Sequence, residues 1–106
     1  MHELTAQAVA EVAERRAEGL TRLSQVKPGD RGVIADVRAD DAGGNGVDVQ
    51  ELERRLLEFG FVEGASLEVL HEGLLGRDPL ALRVDDMRVA VRRRDAAGVW
   101  VRLDAQ

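Results

Sequence analysis

Glu58-Phe59-Gly60-Phe61-Val62-Glu63-Gly64 (EFGFVEG) places both phenylalanines of a 106-residue chain around one glycine and closes on a second glycine. Such a cluster is either a partner-binding knob or the joint where a helix stops and folds back onto a sheet. If Phe59 is the last helical residue, Gly60 takes the position that wants left-handed backbone angles, and Phe61 is the residue that packs back against Leu56 in a Schellman motif. Val62, Glu63 and Gly64 then turn the chain into a strand. The joint reading is preferred because one cap geometry accounts for Gly60 and Phe61 together.

Working back from the joint, Asp48 followed three residues later by Glu51 forms a capping box, with Val47 and Leu52 placed as a hydrophobic staple. The helix is therefore expected to begin near Val49. Val49, Leu52, Leu56 and Phe59 recur at helical spacing, with charged residues mostly elsewhere on the surface, so one apolar stripe faces something large. Forward of the joint the period changes to two. Leu67 and Val69 alternate with Glu68, although Leu70 breaks the pattern; Leu80, Leu82 and Val84 alternate with Ala81 and Arg83; Met87, Val89 and Val91 alternate with Arg88 and Ala90. Val99, Val101 and Leu103 flank Trp100 and Arg102. Asp85-Asp86 is a tight hairpin link, and Asp95 is placed to cap one helical turn ended by Gly98.

Before the helix, Pro28-Gly29 fits the centre of a type II turn and leads into a strand from about Arg31 to Arg38. Asp40 to Gly46 is a glycine-rich connector. It lacks the Gly-Lys-Ser/Thr of a phosphate cradle, and as a calcium loop it has Gly43 and Leu52 where carboxylates belong. At the amino terminus, Glu3 to Glu18 reads as an amphipathic helix ended by Gly19, with Leu4, Ala8, Val9, Val12 and Ala13 on one stripe and Glu11, Glu14, Arg15 and Glu18 on the other. It covers the domain's flank or packs against a second copy, so a homo-oligomer is one expectation. The fold class is mainly β: a small five-stranded barrel with one inserted helix (residues 23–106), preceded by a helical extension (1–22).

A chain of this length buries roughly two-thirds of its unfolded surface, enough for one core. With no cysteine there is no thiolate chemistry and no sign of an oxidising compartment. The acidic amino terminus is not a secretion signal, and no run approaches the roughly 20 apolar residues of a membrane span. The expectation is a cytoplasmic protein without direct membrane insertion. Net charge is -5, against a general nucleic-acid footprint. Locally, Arg83, Arg88, Arg92, Arg93, Arg94 and Arg102 outnumber three aspartates; solvated strand and turn faces are the simpler account.

Taken in order, LSQVKPGDRGVI, LERRLLEFGFVEGASLEVL, GLLGRDPLALRV and MRVAVRRRDAAGVWV resemble the FeoA family from about Leu23 to Leu103; the first helix lies outside the resemblance. The resemblance implies an SH3-like barrel that serves ferrous-iron transport as a cytoplasmic, non-catalytic accessory of FeoB, a membrane transporter with a cytosolic guanine-nucleotide-binding domain. It implies no defined iron site. The same barrel ends metal-dependent repressors, whose DNA-binding helices are not expected in a chain this short.

Catalysis finds no Ser-His-Asp order, no His-Glu-x-x-His and no Gly-x-Ser-x-Gly, so the protein is expected not to be an enzyme. His71, Glu72 and Asp78 form a weak divalent-metal constellation that falls short of a specific site, and no other cofactor is expected. The better candidate is the hairpin HEGLLGRDPL, where Gly73 and Gly76 bracket Leu74 and Leu75. Strand alternation cannot explain both leucines: one plugs the barrel end and the other is then exposed and available, with Arg77, for a partner, or the loop simply plugs the barrel. Trp100 points away from Val99 and Val101, either beneath the amino-terminal helix, which needs to bury Leu4, Val9 and Val12, or outward as a surface anchor. The partner-binding set is thus Leu74, Leu75, Arg77 and Trp100, and the structural joint is Asp48, Glu51, Leu56, Gly60, Phe61 and Gly64. Two functions follow: docking on the cytosolic domain of a FeoB-type transporter, or a metal-linked regulatory or nucleic-acid-binding module.

Overall fold

Alternating strands joined by tight turns have no partner but one another, and they curl into a single antiparallel sheet. The computed structural model describes residues 3–38 and 49–104, with the backbone alone for 3–8 and 17. In chain order the elements are α1 (Glu3–Ala17), β1 (Thr21–Arg22), a 3-10 turn (Leu23–Gln25), β2 (Arg31–Val37), α2 (Val49–Glu58), β3 (Ser66–Leu75), β4 (Asp78–Val84), β5 (Met87–Val91) and β6 (Val99–Leu103). The six strands run β1-β6-β2-β3-β4-β5 across the sheet. Five were expected from the alternation; the sixth, β1, has only two residues, too few to show a period, and lies just before residue 23. Expectations placed on Asp48, Val47 and the 40–46 connector lie outside the described residues.

The joint forms as a Schellman cap. Gly60 has φ +88°, its N–H donates to the Leu57 carbonyl and the Phe61 N–H donates to the Leu56 carbonyl, both at 2.9 Å. Phe61 and Leu56 are buried in one core with Leu52, Leu67, Val69, Leu80, Leu82 and Val84. Phe59 stays at the rim, edge-on to Phe61 with ring centroids 6.4 Å apart. Of the expected α2 stripe, Leu52 and Leu56 are buried while Val49 is exposed. Gly64 also has positive φ, and its N–H donates to the Ile34 carbonyl at 2.8 Å, seating the end of the joint on β2.

The Pro28-Gly29 turn closes with Asp30 N–H on the Lys27 carbonyl at 3.0 Å, while Asp30 Oδ2 accepts the Lys27 N–H at 2.9 Å. The interruption at Leu70 is a register shift in the β3–β4 ladder between Val69 and His71, one extra residue on β3. The residues after β5 form turns, not a capped helix, and Asp95 faces Arg55 of α2 at 3.5 Å.

Strand β6 is covered on both faces. Val99 and Val101 face the core, and Trp100, on the opposite side, is equally buried. A register shift in β2 between Ile34 and Asp36 sets Asp36 opposite Trp100, and Arg22 of β1 is its partner on the other side. Onto this row of Asp36, Trp100 and Arg22 comes Arg15 of α1. Its Nε donates to Asp36 Oδ2 at 3.0 Å, and its guanidinium carbon lies 5.6 Å from the Trp100 ring centroid, with that of Arg22 at 4.6 Å. Glu11 adds a contact to Arg38 at 3.4 Å. Trp100 does lie beneath α1, but the contact is made by arginine from the polar side of the helix: of the expected apolar stripe Val9 is 63% exposed, Ala13 is exposed and Val12 is half-buried, while the side chains of Leu4 and Ala8 lie outside the described residues. A guanidinium stacks its flat face on indole while its edge bonds carboxylate, which a valine cannot do.

Two outcomes are expected. Gly60→Ala puts a Cβ at positive φ, 3.4 Å from Val84 Cγ1, and should cost about 1–2 kcal/mol in urea unfolding; a loss near zero contradicts the cap. Trp100 is the sole tryptophan, so Arg15→Ala/Arg22→Ala should red-shift its emission and open it to acrylamide quenching. Unchanged spectra in the double variant would show that the arginines do not cover the ring.

Candidate functional site

Strand β3 runs on past the core into a two-stranded finger with β4. The tip is a two-residue turn, Gly76-Arg77, with φ +69° and +61°, joining the paired residues Leu75 and Asp78. Positive φ at both central positions is the turn whose twist matches antiparallel strands. Gly73 passes so close to the Asp78 carbonyl that any side chain there would collide with it. That close pass accompanies a second register shift, between Glu72 and Leu75, and both leucines here stand in solvent: Leu74 is 100% exposed and Leu75 89%. The expectation that one leucine plugs the barrel end is corrected, since β3 continues to residue 75 and carries the pair clear of the core. Arg77 is exposed beside them, its Nε 3.4 Å from Glu72 Oε1.

Trp100, the fourth residue of the predicted partner set, belongs elsewhere. It is buried beneath Arg15 and Arg22, so it does not offer a surface to a partner, and the anchor reading is withdrawn for it. Of the joint set, Leu56, Gly60, Phe61 and Gly64 stand together at the turn out of α2; Glu51 is exposed in the first turn of α2, 4.0 Å from Arg54.

The acidic side chains near the finger are already engaged. Glu72 Oε1 accepts from Arg93 Nη2 at 2.7 Å, and Asp78 Oδ1 accepts the Arg93 N–H at 2.9 Å. His71 is exposed and does not join them, and among the described residues no three His, Asp or Glu side chains converge as a metal-holding group. Arg83 and Arg94 face Glu68 and Asp95 respectively, and Arg102 donates to the Glu18 carbonyl.

Sequence reasoning missed Arg93. Its Nε donates to the Arg77 carbonyl at 2.8 Å and its Nη1 to the carbonyls of Ser24 and Val26 at 2.9 and 3.1 Å. The only signal was its place in the run Arg92-Arg93-Arg94, where nothing separates it from its exposed neighbours.

This geometry has known relatives. The FeoA domain model matches residues 21–103. A Porphyromonas gingivalis protein described as an Fe(2+) transport protein A/Fe(2+) transporter FeoB fusion is 40% identical over 82 residues, 77% of this chain but 8% of that protein's length. Among solved structures, FeoA from Chlorobium tepidum is 33% identical with a TM-score of 0.63, covering 80% of this chain and 71% of that one. FeoA from Stenotrophomonas maltophilia, solved with zinc and described as a procaryotic SH3 domain protein, is 31% identical with a TM-score of 0.59, covering 76% and 88%. Among the described residues no helix is long and apolar enough to cross a membrane. Six antiparallel strands around one core, a helix inserted before β3 and a family match over residues 21–103 agree: the chain is an SH3-like domain and belongs to the FeoA family.

Proposed function

We propose that this chain is a non-catalytic accessory module that docks on the cytosolic part of a FeoB-type ferrous-iron transporter and modulates iron uptake. The observation that carries the reading is the Porphyromonas gingivalis relative, in which the FeoA and FeoB parts share one polypeptide. A shared chain keeps the two at high effective concentration, an arrangement suited to parts that work in contact. The Stenotrophomonas maltophilia relative is described as a candidate ferrous iron transport activating factor, in keeping with an accessory role.

The contact assigned here is the finger: Leu74 and Leu75, with Arg77 at the turn. Two adjacent, fully solvated leucines on a hairpin held by a packed domain gain free energy only by leaving water, roughly 1.5–3 kcal/mol for each side chain fully covered. A partner with an apolar slot in its cytosolic domain provides that cover. The effect on transport is a population shift: the module binds one state of the transporter's cytosolic domain more tightly and so biases its nucleotide or gating cycle. The working compartment is the cytoplasm, where that domain lies.

In a pull-down against the transporter's cytosolic domain, Leu74→Ser/Leu75→Ser should remain folded and lose most of its binding, and wild-type binding should change little as salt is raised. Unchanged capture by the folded double variant removes the finger from the contact. Steep loss of wild-type binding with salt points to an arginine–phosphate interaction in its place.

A further inference from the structure

The finger is weakly braced by its own ladder. Beyond Glu72↔Leu80 the pairing skips Gly73 and Leu74 and resumes only at Leu75↔Asp78. Glycines stand on both sides of the leucine pair, and neither leucine touches the core. A segment with a single rung beyond a register shift samples many poses, and a partner that selects one of them bears the ordering cost. The pose therefore needs a restraint from outside the hairpin.

We infer that Arg93 is the positioning residue of the docking finger, a step that rests on the docking reading above. Its side chain is 14% exposed and joins three separated stretches of chain. Toward the 3-10 turn and the residue after it, Nη1 donates to Ser24 and Val26 carbonyls; toward the finger's base, Nη2 meets the Glu72 carboxylate at 2.7 Å; toward the tip, Nε donates to the Arg77 carbonyl at 2.8 Å. Its own backbone N–H donates to Asp78 Oδ1 at 2.9 Å. The β3 side of the finger and the turn are thus fastened to one planar group seated on the rest of the domain, while the β4 side, through Asp78, is held by the backbone of the same residue. The contact to Arg77 is to a backbone atom of the turn, so the tip is held whatever the Arg77 side chain does. Lysine, with a single ammonium at the end of a flexible stem, cannot span these acceptors at once.

The test compares wild type, Arg93→Lys and Leu74→Ser/Leu75→Ser, alone and combined, by amide hydrogen exchange and by titration against the transporter's cytosolic domain. NMR titration reads the weaker complexes. Arg93→Lys should speed exchange over residues 73–78 with the β2 and β6 amides unchanged. It should weaken binding about tenfold, the cost of ordering a finger no longer pre-set. In the leucine-less background the same substitution should change affinity by less than about twofold, since Arg93 acts only through the leucines it places. Glu72→Gln, which removes one charge and keeps the chain's shape, should show the same pattern more weakly and guards against a misfolded Arg93 variant.

Unaltered exchange at 73–78 overturns the proposal. So does full affinity in Arg93→Lys while the leucine variant is weakened, or an equal loss in both backgrounds. If the leucine variant binds as tightly as wild type, the docking reading itself falls and takes this step with it, an outcome distinct from the other three.

Discussion

The bond from the Phe61 N–H to the Leu56 carbonyl is where helix becomes barrel. It exists only because Gly60 takes φ +88°, and it sends Phe61 back beneath the helix just left, onto Leu52 and Leu56. Those side chains form the lid of the core, and the strands leaving the joint form its floor. Were the chain to continue helical for one more turn, Phe61 would swing to a different face, Ala65 and Leu67 would not reach β2, and the ladder through Gly32↔Leu67 would lose its register. A single left-handed residue sets the pairing of the sheet because strand register admits no half-steps: a shift by one residue turns every side chain over.

The parts of the fold that depend on local rules were legible. Gly60 with Phe61, Pro28 with Gly29, Asp85 with Asp86 and the alternation of Leu80, Leu82 and Val84 each carry a rule that acts over a few residues. What was not legible depends on register between distant segments. Arg15 sits on the polar stripe of α1 by any helical count, yet it is the residue that holds the helix down. The reason is that bulged β2 brings Asp36 opposite Trp100 and gives a guanidinium both a carboxylate and a ring. Arg93 was hidden for the same reason. Its acceptors come from residues 24, 26, 72 and 77, and three of the four are backbone carbonyls. Carbonyls carry no signature in side-chain chemistry. The finger was half legible: two leucines between glycines marked it, but the length of β3 that carries both clear of the core is a property of the folded ladder.

Arginine has a common use across these sites. The chain has fourteen arginines and one lysine, and some of them are solvated: Arg54 lies exposed beside Glu51 and Glu58 on α2. Exposed pairs of this kind contribute little to stability. Arg15, Arg22 and Arg93 differ because each bonds through a flat, forked group to partners on separate elements. Arg22 lies over Trp100 while its Nη1 donates to the Ala97 carbonyl at 2.6 Å.

This arrangement separates what must be rigid from what must be exposed. On the docking reading proposed above, a finger whose leucines must reach a partner cannot bury them in its own core, so packing does not stiffen it. The alternatives are a longer ladder, which would add rungs toward the tip, or a brace from the side that leaves both leucines free. The Gly73 crossing and the register shift exclude the first. A brace that bonds backbone carbonyls and acidic side chains on the finger leaves the apolar tip untouched, and Arg93 meets that requirement. The leucines thus stand clear of the core beside the same irregularity that obliges the rest of the domain to hold them by other means.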